Sequence, residues 1–262
     1  MSVRDRLAVV TGAAGIYGRQ FARAFAREGA RLVLTDRKLA SLRAIASELD
    51  LDMSRVHLLA ADLSDEDSIA SFIAKTVAGP GVPDILVNNA GIYPFGGLFD
   101  TTGAAWDEIM AVNLTAPFLL SQGFARLMIE RGIKGSIVCI GSGAAHVLRT
   151  NGLAYCASKR ALDWLVKGMA LELAPHGIRV NAVEPALAVG ADPARFPAGY
   201  VETLASRIPL GRMAGDHEAA DAVLFLCSDA AAFVTGTSLS VDGGSSIPRR
   251  MLSDARKGEA KR

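Results

Sequence analysis

The chain has 262 residues, a formal net charge of +1, and hydrophobic residues at 50% with aromatics at only 6%, so small aliphatic side chains must supply most of the core. So neutral a chain offers no broad basic field for nucleic acid, and no apolar run approaches the roughly 18 residues of a membrane span. Cys139, Cys156 and Cys227 are too few for a disulfide framework, lack metal-ligand spacing, and sit in apolar surroundings that suit buried thiols in a reducing compartment. With no apolar stretch at the start long enough for a signal peptide, the expected location is cytoplasmic.

The chain alternates strand and helix patterns. "LAVV" (7–10) is a short apolar strand, followed by "GRQFARAFAREG", where Phe21 and Phe25 fall four apart on a helix face. "RLVLTD", "RVHLLAADL" and "PDILVNNAG" (83–91) predict the second, third and fourth strands, with "LRAIASEL" and "SIASFIAKTV" as helices between them. One long helix is expected through "WDEIMAVNLTAPFLLSQGFARLMIERG", then the strand "GSIVCIGS", the helix "YCASKRALDWLVKGMALELA" and the strand "GIRVNAVEP". "HEAADAVLFLCSD" and "GTSLSVDGG" complete the series. Seven strands separated by helices argue an α/β, Rossmann-type, doubly wound parallel sheet with helices on both faces. No repeat or linker divides residues 1–262, so a single domain is expected. The irregular stretch at about 186–212, with Pro193, Pro197 and Pro209, is expected to be a substrate loop, and the basic C-terminal tail "RKGEAKR" to be flexible and solvated.

The first strand runs into "TGAAGIYG", in which Gly12, Gly15 and Gly18 precede a helix. Glycines at such a turn allow a tight bend, close approach of backbone N–H groups to a pyrophosphate, and close helix–strand packing; the helix N-terminus adds its dipole. Asp36 ends the second strand 24 residues after Gly12, where a carboxylate can accept hydrogen bonds from both ribose hydroxyls of an adenosine and repel a 2′-phosphate. Asp62 ends the third strand on the same sheet edge. This pattern points to a dinucleotide, and to NAD over NADP.

"YCASK" places Tyr155 and Lys159 four residues apart, on one helix face. Ser142 ends a strand thirteen residues earlier, Asn113 lies in "VNLTAPF", and "NNAG" (88–91) ends the fourth strand. From "VTGAAGIYG" through this set to "VTGTSLSVDGG", the chain resembles the single-domain short-chain dehydrogenases/reductases.

That resemblance implies hydride transfer between a nicotinamide and a secondary alcohol or ketone. Tyr155 is then the general acid/base, its phenol brought below its ordinary value of about 10 by the Lys159 ammonium. Lys159 also binds the nicotinamide ribose, Ser142 holds the substrate oxygen, and Asn113 holds a water in a proton relay. The implied cofactor contacts are Gly12, Gly15, Ile16, Tyr17, Gly18, Asp36, Arg37, Asp62, Leu63, Asn89, Ala90, Gly91, Tyr155, Lys159, Pro185, Leu187 and Ala188. Substrate candidates are Tyr93, Phe95, Ser142, His146, Leu148 and Arg149. No metal, nucleic-acid or membrane partner is expected, and a homodimer or homotetramer is expected through helices around Phe118–Met128 and Trp164–Leu173.

The chain departs from the family's pattern at four positions. The family turn reads T-G-x-x-x-G-x-G, so Ile16 replaces its middle glycine. After the sixth strand the family reads P-G-x-x-x-T, and here Ala186 and Gly190 stand for the glycine and threonine. Glu184, where a small residue often stands, has no place in the pattern. Three readings follow: an NAD-dependent alcohol dehydrogenase, favoured by Asp36; an NADPH-dependent carbonyl or 3-oxoacyl reductase, with Arg37 as the basic candidate; and a catalytically idle nucleotide-binding protein, against which the intact tyrosine and lysine argue.

Overall fold

The computed structural model describes residues 3–187 and 199–247. In chain order the elements are β1 (Leu7–Thr11), α1 (Ile16–Arg27), β2 (Arg31–Asp36), α2 (Leu39–Glu48), β3 (Val56–Ala60), α3 (Glu66–Ala78), β4 (Ile85–Asn88), α4 (Gly103–Met110), α5 (Ala116–Glu130), β5 (Ser136–Ile140), α6 (Leu153–Leu173), β6 (Arg179–Pro185), α7 (Tyr200–Ser206), α8 (Glu218–Cys227) and β7 (Ser238–Val241). The strands form one parallel sheet in the order β3-β2-β1-β4-β5-β6-β7. The order reverses between β1 and β4, and ligands of open parallel sheets bind at that switch point, beyond the strands' C-terminal ends.

Alternation along the strands divides the core in two. Ala8, Val10, Leu32, Leu34, Val87 and Val138 pack with Phe21, Phe25 and the α8 residues Val223 and Leu224. Leu7, Val9, Val33, Leu86 and Ile137 face the other side, against Phe72, Leu120, Phe124, Leu162 and Val166. There Phe72 and Phe124 meet edge to face, ring centroids 6.2 Å apart. Because both faces of the sheet are covered, β1, β4 and β5 are buried end to end, as their unbroken apolar runs require.

Three local features differ from the sequence expectation. β4 is shorter than 83–91, because the Asn89 and Ala90 N–H groups leave the ladder and donate to the Thr11 hydroxyl at 2.9 and 3.0 Å. The long helix is interrupted by a π-helical turn at Ala111–Thr115, with the Ala116 N–H reaching back to the Ala111 carbonyl. Pro117 explains a defect here, since it has no N–H to offer the Asn113 carbonyl four residues before it. The stretch expected to be irregular contains α7. Ala188, the other loop residues through 198, and the C-terminal tail lie outside the described residues.

Candidate active site

The glycine turn is shaped by contacts. Gly12 has φ +61°, and a Cβ there would lie 2.8 Å from the Ala90 backbone; one on Gly18 would lie 2.1 Å from the Gly12 carbonyl oxygen. Neither position has room for a side chain. Gly15 is less crowded, its notional Cβ meeting the Gly12 oxygen at 3.3 Å. It caps α1 with extended backbone, and Ile16 opens the helix. Ile16 is therefore accommodated without blocking the turn, and first-turn N–H groups of α1 have no intrahelical acceptor of their own. The Asn89 side chain, expected as a cofactor contact, donates to the Thr11 and Gly12 carbonyls at 2.7 and 3.0 Å and so braces this turn.

Asp36 faces the same turn. One carboxylate oxygen accepts the Ala14 N–H at 3.1 Å and the other the Arg37 N–H at 2.8 Å. Asp62 is exposed and accepts the Ser64 N–H and hydroxyl at 2.9 and 2.7 Å, which holds its carboxyl below the ordinary range. Leu63 beside it is buried.

At the other end of the cleft, α6 delivers Tyr155 and Lys159 next to the end of β5. The Tyr155 phenol is hydrogen-bonded with Ser142, and burial raises it above its ordinary value more than Ser142 lowers it. Here the expectation of a phenol brought low by Lys159 is not met: the lysine Nζ lies 5.8 Å from the Tyr155 ring centroid and donates to the Ile140 carbonyl at 2.8 Å. Burial lowers Lys159 itself to about 8. Gly91 gives both polar groups room, since a Cβ there would lie 3.4 Å from Asn113 Oδ1 and 3.7 Å from Lys159 Nζ.

The Asn113 side chain is fully buried and engaged. Its Oδ1 accepts the Ile92 N–H at 2.8 Å, and its Nδ2 donates to the Ile92 carbonyl at 2.8 Å and the Ser158 hydroxyl at 3.1 Å. The expected relay water would share the Asn113 side chain with these three bonds. Of the substrate candidates, Tyr93 meets Tyr155 edge to face at 6.3 Å, and the Arg149 guanidinium lies 6.0 Å from the Tyr155 ring centroid. His146 is turned to Glu184 instead, at 2.9 and 3.1 Å. Phe95 and Leu148 are exposed.

Sequence reasoning missed two contacts. The Tyr17 hydroxyl donates to the Ala186 carbonyl, tying the glycine turn to the end of β6, while its ring stacks on Phe21 at 6.0 Å. The Thr11 hydroxyl accepts the two N–H groups that turn the chain after β4. No pattern in the sequence pairs Tyr17 with Ala186, which lies 169 residues away.

A parallel sheet whose switch point carries a glycine turn, and whose next edge carries a buried serine and lysine with a half-buried tyrosine between them, defines a nicotinamide-dependent oxidoreductase. A family profile described as enoyl-(acyl carrier protein) reductase matches residues 12–246. The chain is 38% identical to the L-xylulose reductase of Bos taurus, over 93% of this chain and 98% of the relative. It is 36% identical to the NAD-dependent glycerol dehydrogenase of Listeria innocua serovar 6a, over 94% and 96%. A solved gluconate 5-dehydrogenase from Burkholderia cenocepacia J2315, in complex with NADP and tartrate, superposes with a TM-score of 0.87 at 32% identity, covering 95% and 98% of the two chains. The chain belongs to the short-chain dehydrogenase/reductase family, and it is an enzyme that passes hydride between a nicotinamide cofactor and a secondary alcohol or ketone. Among the described residues no helix is long and apolar enough to cross a membrane.

The residues present fit a dinucleotide. The turn leaves no room for a Cβ at Gly12 or Gly18, Asp36 presents a carboxylate beside it, and Lys159 places a buried ammonium at the far end.

Proposed function

We propose that this enzyme interconverts a small polyhydroxylated alcohol and its ketone with NAD(H), and that Tyr155 exchanges the hydroxyl proton. The observation that carries this is a half-buried tyrosine hydrogen-bonded with Ser142 and flanked by Lys159, beyond the C-terminal end of β5. Bound nicotinamide supplies the hydride acceptor or donor. In the oxidising direction the Tyr155 phenolate takes the alcohol proton while the carbinol hydrogen leaves as hydride, and the C–O bond becomes a carbonyl. Ser142 holds the substrate oxygen as charge develops on it, and Lys159 orients the cofactor ribose.

NAD is favoured by Asp36, whose carboxylate would repel a 2′-phosphate. The polyol class is supported by the substrates in the relatives' names: xylulose, glycerol and gluconate. Arg37, exposed beside Asp36, and the NADP in the Burkholderia structure support the competing NADP reading. The test is turnover of glycerol and gluconate with NAD and NADP, and of L-xylulose with NADH and NADPH. The reading predicts polyol turnover with kcat/KM favouring NAD; equal use of both cofactors would contradict the role given to Asp36.

Association through α5 and α6 is part of the same proposal. Phe118, Ile129, Trp164 and Leu171 all expose apolar surface, Trp164 at 70% and Leu171 at 79%, and a face of this kind suits burial against a second copy.

A further inference from the structure

Glu184 is only 1% exposed near the end of β6, on the strand face it shares with Val180 and Ala182. An ionised carboxylate in such a place persists only if it is paired and hydrogen-bonded. Its partners come from two other segments. His146 Nε2 donates to both carboxylate oxygens at 2.9 and 3.1 Å, and the Ser240 hydroxyl donates to one at 3.1 Å from its in-register position on β7.

Both neighbours on the chain side lead to Ser142. The Gly141 N–H donates to the Val183 carbonyl at 2.8 Å, and a Cβ on Gly141 would lie 3.0 Å from Glu184 Cγ, so the carboxylate's stem packs directly on the backbone before Ser142. After Ser142 the chain makes a short 3₁₀ turn. The Ser142 hydroxyl accepts the Ala144 N–H at 3.1 Å, the Ser142 carbonyl accepts the Ala145 N–H at 2.9 Å, and the His146 N–H donates to the Gly143 carbonyl at 3.0 Å. His146 then returns to Glu184. The turn carrying Ser142 is thus held at both ends by one buried side chain.

We propose that Glu184 and His146 are positioning residues that set the Ser142 hydroxyl against Tyr155. This rests on the reading of Ser142 as the group that holds the substrate oxygen. It gives Glu184 a role and takes His146 out of the substrate contacts. Ala144 and Ala145 of the turn are buried, whereas His146 and the residues after it through Thr150 are exposed, so the contact with Glu184 is a polar tie at the point where the turn leaves the core. Small displacements of a substrate-orienting group are costly, on the order of a hundredfold in rate for an ångström.

The test is a double-mutant cycle between His146→Ala and Ser142→Ala, read as kcat and KM for the fastest polyol with NAD, with NAD affinity by protein fluorescence. His146→Ala is expected to lower kcat about 10- to 100-fold, with polyol KM and NAD affinity within about threefold of the parent. In the Ser142→Ala background the same change is expected to cost less than about twofold, because groups acting through one another are not additive. Glu184→Gln, which keeps an acceptor oxygen for His146, is expected to retain most of the parent's rate. Should His146→Ala not fold, the paired Glu184→Leu/His146→Leu variant carries the same cycle, since it removes the buried charge together with its donor. An equal loss from His146→Ala in both backgrounds overturns the proposal. So does a loss carried by polyol KM, which would make His146 a substrate contact. A Ser142→Ala enzyme as active as the parent would defeat the reading of Ser142 and the tether together.

Discussion

The two ends of the cofactor cleft solve different problems with different chemistry. At the β1–β2 end, Asp36 is half-buried and Asp62 exposed, and both accept backbone N–H groups, Asp36 from the glycine turn and Asp62 from Ser64. At the β5–α6 end, Ser142, Lys159 and Asn113 are all buried, and Tyr155 is raised by burial while Lys159 is lowered by it. The open end can discriminate between cofactors through charge, at little cost to the fold. The closed end concentrates titratable groups where burial makes their protonation sensitive to what lies beside them.

If that division is right, mutations should separate binding from chemistry. Tyr155→Phe removes the proposed proton-transfer group and is expected to lower turnover by about 10²- to 10⁴-fold, while NAD affinity measured by fluorescence changes less than about twofold. At the other end, Asp36→Ala is expected to shift the NAD:NADP ratio of kcat/KM by about 30- to 1,000-fold toward NADP, the equivalent of losing a charged hydrogen bond and a repulsion together. Steady-state kinetics with both cofactors checks this, and a ratio that does not move would mean that Asp36 does not face the ribose.

Lys159 sharpens the comparison through stability. Its folded value of about 8 lies below the ordinary 10.5, so below pH 8 the lysine is protonated in both states and its burial penalty is fully present. Between about 8 and 10.5 the unfolded chain binds more protons, and the native state gains relative stability as pH rises. Lys159→Met should therefore stabilise the cofactor-free protein at pH 7 by up to about 3 kcal/mol, an advantage that shrinks toward pH 10.5, while impairing NAD binding. Thermal melting across that pH range reads both parts. The smallest effect is expected from Tyr17→Phe, which breaks the bond to Ala186: a net loss of about 1 kcal/mol, or roughly 2–4 °C in Tm.

Much of this was legible in the sequence because it is periodic or local. Short apolar runs between helical stretches placed the strands, and the i, i+4 spacing of Tyr155 and Lys159 put them on one face. The π-turn at Ala111–Thr115 escaped, since one extra residue per turn leaves the apolar pattern of a long helix almost intact. Glu184 could not be read because its partner His146 lies 38 residues away, on a different strand's exit. The Tyr17–Ala186 bond spans 169 residues. Burial, too, is a property of the fold: the raised phenol of Tyr155 and the lowered ammonium of Lys159 follow first from burial, which no local stretch of sequence displays.

The most direct test of the account is the pH dependence of kcat in both directions, in the parent and in Tyr155→Phe. Polyol oxidation needs the phenolate and should rise with pH, whereas ketone reduction needs the phenol and should fall as pH passes the same value. The account predicts mirrored limbs in the parent and neither limb in the variant. A Tyr155→Phe enzyme that keeps the parent's rate, or its pH limbs, would contradict it.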